Sequence, residues 1–259
     1  MILGPGDEER FLAYCDAHPD ETIWLRTAWY EGDARFAMDP GLAAHDRRGV
    51  IHVHGASPEL LREVVRENWP IVGVAGPPEQ LDAARATLGL EGREVARHSH
   101  EILMALDLDE LVPTELLSQP GVVVRRAGDG DLPLLVDWRT RYFREVHGGE
   151  PHEEVFAELR EHLAMGRIWL LEDGGAVVNT ACFSQVFPRL LQIEYAYGPK
   201  ELRAKKYGRS VVAGALIEAR KEGVRRAVFN TDENNQAVQI GIQPIGFRTV
   251  GRYWVLLFA

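Results

Sequence analysis

The chain has 259 residues, 46% of them hydrophobic and 26% charged, and 39 acidic against 29 basic side chains give a formal net charge of −10. That acidity excludes a general nucleic-acid-binding role, which needs a basic surface, and no apolar run approaches the roughly 20 residues of a membrane span. Two cysteines, Cys15 and Cys182, stand in no paired spacing, which excludes a disulfide framework and fits a reducing compartment.

The length favours two domains over one large α/β domain. In the N-terminal half, GVIHVHG (49–55) reads as a strand. SPELLREVVREN (57–68) reads as a helix with Ser57 as N-cap and Pro58 in its first turn. PIVGVAG (70–76) is a second strand, PPEQLDAARATLG (77–89) a helix closed by Gly89, and SHEILMALDL (99–108) a third strand. Pro113 and Pro120-Gly121 then punctuate a short polar connection. The break is placed there, giving domains 1–113 and 121–259.

The C-terminal half begins with a strand, GVVVRRA (121–127). A helix follows over GDLPLLVDWRTRYFREV (130–146), with Asp129 or Asp131 near its start, and a second over PHEEVFAELREHLAMG (151–166), ended by Gly166. RIWLLE, DGG and AVVNTACFSQV (167–186) read as a hairpin, and RLLQIEYAYG (189–198) as the next strand. The remaining elements are a helix opening near Gly208, a strand RRAVFNT (225–231), a short helix ended by Pro244 and Gly246, and a final strand GRYWVLLFA (251–259). The half therefore runs β-α-α-β-β-β-α-β-α-β, and the expected class is α/β, with a mixed (α+β) sheet.

One stretch departs from the overall acidity. Between Lys200 and Arg209 lie five Lys or Arg residues and one acid, just before the amphipathic helix carrying Val211, Val212, Ala215, Leu216 and Ala219. Unpaired N–H groups and the helix dipole at such a terminus favour an anion. The charge is local, so a small anionic ligand is expected rather than a polyanion.

Four motifs in this order resemble the GNAT acetyltransferase superfamily over about residues 122–258: VVRRAGDGDLPLLVDW, YGPKELRAKKYGRSVVAG, LIEARKEGVRRAVFNTDENN and IGFRTVGRY. Arg203 and Gly208 match the first and last positions of the family's R/Q-x-x-G-x-G/A loop, and Asn235 matches its usual asparagine. The N-terminal half resembles the degenerate GNAT-like domain of tandem members. The resemblance implies two GNAT-like domains, each a twisted, mostly antiparallel sheet flanked by helices. It also implies acetyl-CoA as cosubstrate. Its pyrophosphate would lie on Arg203, Ala204, Lys205, Lys206, Tyr207, Gly208 and Arg209, and its pantetheine arm along Ile193, Tyr195, Ala196 and Tyr197, with Asn235 nearby.

Glu194, the only carboxylate of its strand, is the candidate base, directly or through water, sharing a face with Gln192 if no bulge intervenes; Tyr197 is a candidate proton donor, with Tyr195, Tyr253 or water as alternatives. The sequence departs from the family pattern in three places. Lys206 replaces the middle loop glycine, Ile242 stands where many members carry a leaving-group tyrosine, and Gly241 and Pro244 interrupt the last helix.

The expected activity is N-acetylation of a primary amine, small molecule or peptide. A catalytically impaired module that binds CoA, another anion or a protein is the other reading. No metal is assigned: His52/His54 and His98/His100 each pair imidazoles on a strand face, with no third ligand near in sequence. A cytoplasmic location is expected, with no nucleic-acid or membrane partner, and a homodimer is left open.

Overall fold

The computed structural model describes residues 1–4 and 6–259. They form two compact units. The first comprises Met1–Met104, Asn230–Asn235 and Thr249–Ala259, and the second comprises Ala105–Phe229 and Gln236–Arg248. The break expected at 113–121 thus falls inside the second unit, and the final strand belongs to the first. Proline and glycine mark where the chain turns; strand pairing decides which unit a segment joins.

The first unit opens with α1 (Glu8–Ala17) and α2 (Ile23–Glu31), then β1 (Ala34–Met38), β2 (Leu42–Asp46) and β3 (Val50–His54). After them come α3 (Pro58–Val64), β4 (Gly73–Gly76), α4 (Pro78–Thr87) and β5 (Val95–Asp107). The Ser57 hydroxyl accepts from the Leu60 N–H at 3.2 Å, capping α3 as its sequence predicts. That helix stops at Val64, short of Asn68, because Val65 turns to extended backbone (ψ 132°). β1, β2 and β3 pair antiparallel, while β3 and β4 are parallel. The closing strand β11 (Arg248–Phe258) adds antiparallel to β4, Trp254 opposite Gly76. Ile51, Val53, Val74, Leu60, Leu61, Leu81 and Leu256 fill the core between sheet and helices.

The second unit carries β6 (Val122–Arg126), α5 (Leu132–His147), α6 (Glu153–Ala164), β7 (Ile168–Asp173), β8 (Ala176–Val186) and β9 (Leu190–Tyr197). α7 (Tyr207–Lys221), β10 (Arg226–Asp232) and α8 (Gln236–Ile242) follow. The strand order is β10-β9-β8-β7-β6, antiparallel except for the parallel β9–β10 pair. α5 starts where the Asp131 carboxylate accepts from the Gly128 N–H at 2.8 Å, and ends at Gly148 (φ +75°). α7 lies close on β6: a Cβ at Gly214 would come within 2.5 Å of Val124. α8 ends at Ile242, followed by a 3₁₀ turn holding Pro244 and a left-handed Gly246, as the sequence indicates.

The series α-α-β-β-β-α-β-α-β occurs twice, as α1 to β5 and as α5 to β11. In both, a parallel ladder joins the strands flanking the third helix. The two copies differ at that helix. α3 has seven residues and is capped by its own serine, whereas α7 has fifteen and no side-chain cap.

Candidate active site

β9 is the strand on which the site is organised. Cys182 of β8 sits opposite Tyr195 and Phe183 opposite Ile193, so Glu194 is the extra residue of a bulge. The expectation that Gln192 and Glu194 share a face fails for this reason: the bulge re-aims Glu194. On the other side of β9, pairing with β10 runs from Leu190↔Arg226 to Ile193↔Phe229 and then stops. Ile193 is therefore the last paired residue, and Glu194, Tyr195, Ala196 and Tyr197 continue past the parallel ladder. Ala196 is exposed, while Tyr195 and Tyr197 are buried.

Glu194 lies in a polar cluster built from three other elements. Arg139 of α5 donates from Nη2 to Glu194 Oε1 at 2.7 Å. His162 of α6 places Nδ1 3.4 Å from Oε2, and the Cys182 Sγ is 3.3 Å from that same nitrogen. Oε2 is buried and, among the described residues, accepts no hydrogen bond. Burial holds the His162 imidazole below its ordinary pKa, against the pull of Glu194, and raises the Cys182 thiol well above its own. Near neutral pH both are uncharged. Arg139 also lies over the Tyr195 ring at 4.5 Å and the Tyr142 ring at 5.4 Å, and those two rings stack. Trp138 packs in the core with them.

Tyr197 faces a different partner. Its hydroxyl donates to Glu145 Oε1 at 3.1 Å, and the other oxygen of Glu145 pairs with Arg203. Burial, reinforced by the Glu145 charge, pushes the Tyr197 phenol up to about 12. Arg203 also donates from Nε to the Gly198 carbonyl at 3.1 Å. Two of the sequence-selected residues are thereby joined through a third, Glu145, that sequence reasoning did not select.

The basic loop forms a 3₁₀ turn over Lys200–Lys205 and leads into α7. Lys206 takes φ +63°, ψ 20°, the left-handed conformation for which glycine is suited. The family's glycine position thus keeps its backbone shape with a lysine in it. Lys205 and Lys206 are exposed. Tyr207 is buried and its hydroxyl donates to Asp173 at 2.5 Å, tying the start of α7 to the end of β7. A Cβ on Gly208 would meet nothing within 4 Å, so the mouth of α7 is open there. Arg209 is half-buried, and the Ser210 hydroxyl donates to the Lys206 carbonyl at 3.2 Å. Asn235 is exposed ahead of α8 and falls in the first unit, whereas the loop is in the second. Ile242, in place of the expected tyrosine, is buried.

Sequence reasoning missed Arg139, Glu145 and His162. Each sits on an amphipathic helix where a lone charge or imidazole reads as solvated surface or core. For Arg139 and His162 the available signal was their position near the inward stripes: Arg139 follows Trp138, and His162 lies between Leu159 and Leu163; Glu145 is exposed and carried no such signal.

Among known proteins, the acetyltransferase (GNAT) family model matches residues 132–240. No curated protein matches the sequence. A GNAT-family acetyltransferase from Colwellia psychrerythraea is similar in structure over 87% of this chain and 86% of its own, with 14% identity and a TM-score of 0.57. A Drosophila protein is similar over 99% and 97%, with 10% identity and a TM-score of 0.67. A GCN5-related N-acetyltransferase from Kribbella flavida is similar over 90% and 94%, with 12% identity and a TM-score of 0.56. At such identities the structural likeness speaks to the mixed α/β fold alone, while the sequence match identifies the domain. The match to the acetyltransferase (GNAT) family covers residues 132–240, under half of the chain.

Proposed function

We propose that the chain transfers an acetyl group from acetyl-CoA to a primary amine, small molecule or peptide. The observation that carries this reading is the end of the β9–β10 ladder at Ile193↔Phe229. Beyond it the backbone of Glu194–Tyr197 is available to a pantetheine arm, which would add to β9 as a strand does. The same strand leads into an uncapped helix whose mouth carries Arg203, Lys205, Lys206 and Arg209. N–H groups of Tyr207, Gly208 and Arg209, with the backbone around Ala204, would receive the pyrophosphate.

In the reaction, the amine nitrogen attacks the thioester carbonyl. A β9 N–H stabilises the oxyanion, and the tetrahedral intermediate expels CoA thiolate. Glu194 accepts the amine proton on Oε2, the oxygen Arg139 leaves free. Tyr197 returns a proton to the thiolate once its hydroxyl leaves Glu145. By repetition of element order, the segment from α1 to β5 is proposed to be a degenerate GNAT-like domain whose phosphate mouth is closed by Ser57.

A second reading, a binding module without chemistry, is favoured by buried Ile242 at the leaving-group position and by the commitment of the Tyr197 proton to Glu145. Titration of acetyl-CoA by calorimetry, followed by thiol release with an amine panel, separates the two. Binding with release supports the transferase, and binding without release on any amine supports the module. The absence of binding removes both.

A further inference from the structure

We propose that His18, Glu21 and His54 form a binding site for a divalent transition metal of the zinc class, in the first unit and independent of the acetyl-transfer reading. His18 closes α1, Glu21 stands in the turn before α2, and His54 ends β3. Their donor atoms, two imidazole nitrogens and a carboxylate oxygen, all lie within 4.8 Å of one another. The His54 Nε2 is 3.4 Å from Glu21 Oε2, and His18 Nδ1 is 4.0 Å from that oxygen. A tetrahedral ion bonded at 2.0–2.1 Å holds its donors about 3.4 Å apart. The first pair already stands at that separation, and the second needs only a small swing of the half-exposed His18 ring.

The surroundings of His54 suit the lone pair that a metal requires. The Tyr14 hydroxyl is 2.7 Å from His54 Nδ1 and donates to the His54 carbonyl at 3.1 Å. In the tautomer with its proton on Nδ1, that nitrogen donates to the hydroxyl and Nε2 presents a bare lone pair toward the Glu21 carboxylate, 3.4 Å away, a separation that a cation bridges. A second hydrogen bond that orients a ligating histidine is the usual companion of metal sites. The turn is rigid as well: the Thr22 hydroxyl donates to the His18 carbonyl at 2.6 Å. On the strand side, Gly55 N–H donates to Gln80 Oε1 at 2.7 Å.

Three protein donors leave a coordination position open. Glu21 and His54 line a cleft of about 470 Å³ that also exposes Gln80, Thr249 and Arg252. The open position therefore suits water or a small anion, with Arg252 supplying positive charge. This places a ligand site in the half of the chain whose phosphate mouth is capped.

The test is titration of zinc chloride into the full chain, stripped with chelator, by calorimetry at pH 7.5, with cobalt(II) absorption as a second readout. The expected result is one ion per chain and a tetrahedral cobalt band. Both should weaken at least about tenfold in Glu21→Gln, His18→Ala and Tyr14→Phe. His18 is at the surface, so its substitution leaves folding intact, and melting in the absence of metal checks that. His98→Ala/His100→Ala should leave binding unchanged. The proposal is overturned if the stripped chain takes up no zinc. It is equally overturned if binding survives intact in His18→Ala and Glu21→Gln, or if it disappears only with His98 and His100.

Discussion

Arg139 donates to Glu194 Oε1 at 2.7 Å across the faces of α5 and β9, while Glu194 Oε2 makes no hydrogen bond among the described residues. One carboxylate thus has two inequivalent oxygens, one anchored and one free. The bulge that makes Glu194 an extra residue turns it to meet Arg139. A base held by a cation on one oxygen is positioned without spending the oxygen that accepts the proton. Glu194→Gln keeps the shape and removes the charge. Turnover should fall by about 10²-fold or more, with acetyl-CoA affinity unchanged by calorimetry. Full turnover in this variant would move the base elsewhere.

The same pair should be coupled in stability. Arg139 has 10% of its side chain exposed and Glu194 has 23%. Removing the cation alone strands a charge beside buried Tyr195 and Cys182. Breaking a fully buried pair costs about 3–5 kcal/mol, and the partial exposure of Glu194 brings the expected loss for Arg139→Leu to about 2 kcal/mol. Arg139→Leu/Glu194→Leu should recover about half of it, because no unpaired charge remains. Urea midpoints for the two single variants and the double variant measure the coupling. Additive losses would show that the ion pair is energetically inert.

Lys206 holds φ +63° at the threshold of α7. A side chain costs roughly 1–2 kcal/mol in that conformation, and part of the gain from removing it is lost to the freer unfolded chain of glycine. Lys206→Gly should therefore stabilise by about 0.5–1 kcal/mol, a rise of roughly 2 °C in Tm. It should also weaken acetyl-CoA only modestly, since the backbone cradle is kept and one cation is lost. A lower Tm would mean that the Lys206 side chain contributes more than its conformation costs.

The mouth of α7 is testable without disturbing the core. A Cβ at Gly208 meets no atom within 4 Å, so Gly208→Trp projects its ring outward. Tm without ligand should stay within about 2 °C of the parent, because surface substitutions of this kind change stability little. The stabilisation given by acetyl-CoA should vanish. An undiminished ligand shift would place the phosphates elsewhere.

Much of this was legible in the sequence where a segment carried its own punctuation. Ser57-Pro58, Asp131, Gly166 and Gly246 each mark a helix end that the structure shows, and the order of the second half follows from alternation and periodicity alone. The first 48 residues yielded no elements. α1 and α2 are short, and β1 and β2 pair through five residues each, so their signals are brief and their burial is fixed by each other. The bulge at Glu194 was illegible because it is a property of pairing between β8 and β9, not of either strand. The same holds for His18 with His54 and for Cys182 with His162. Residues distant in sequence acquire a shared chemistry only through topology.

Acid should weaken the fold in a defined window. Burial, the leading cause in each case, lowers the pKa of His45, His54 and His162 from the ordinary 6.5. Above that value the imidazoles are neutral in folded and unfolded chains alike, and they contribute no pH dependence. As pH falls through 6.5 the unfolded chain takes up protons first. The unfolded state then binds more protons, and stability falls with falling pH until the folded-state imidazoles titrate too. Chemical denaturation at pH 7.5 and at pH 5.5 should therefore give a lower free energy of unfolding at the acid value. His162→Gln should flatten part of that slope by removing one of the protons taken up. A slope unchanged by His162→Gln would assign the acid sensitivity to the carboxylates, whose stabilising pairs, such as Asp131 with Arg125, are lost as their depressed pKa values are crossed at lower pH.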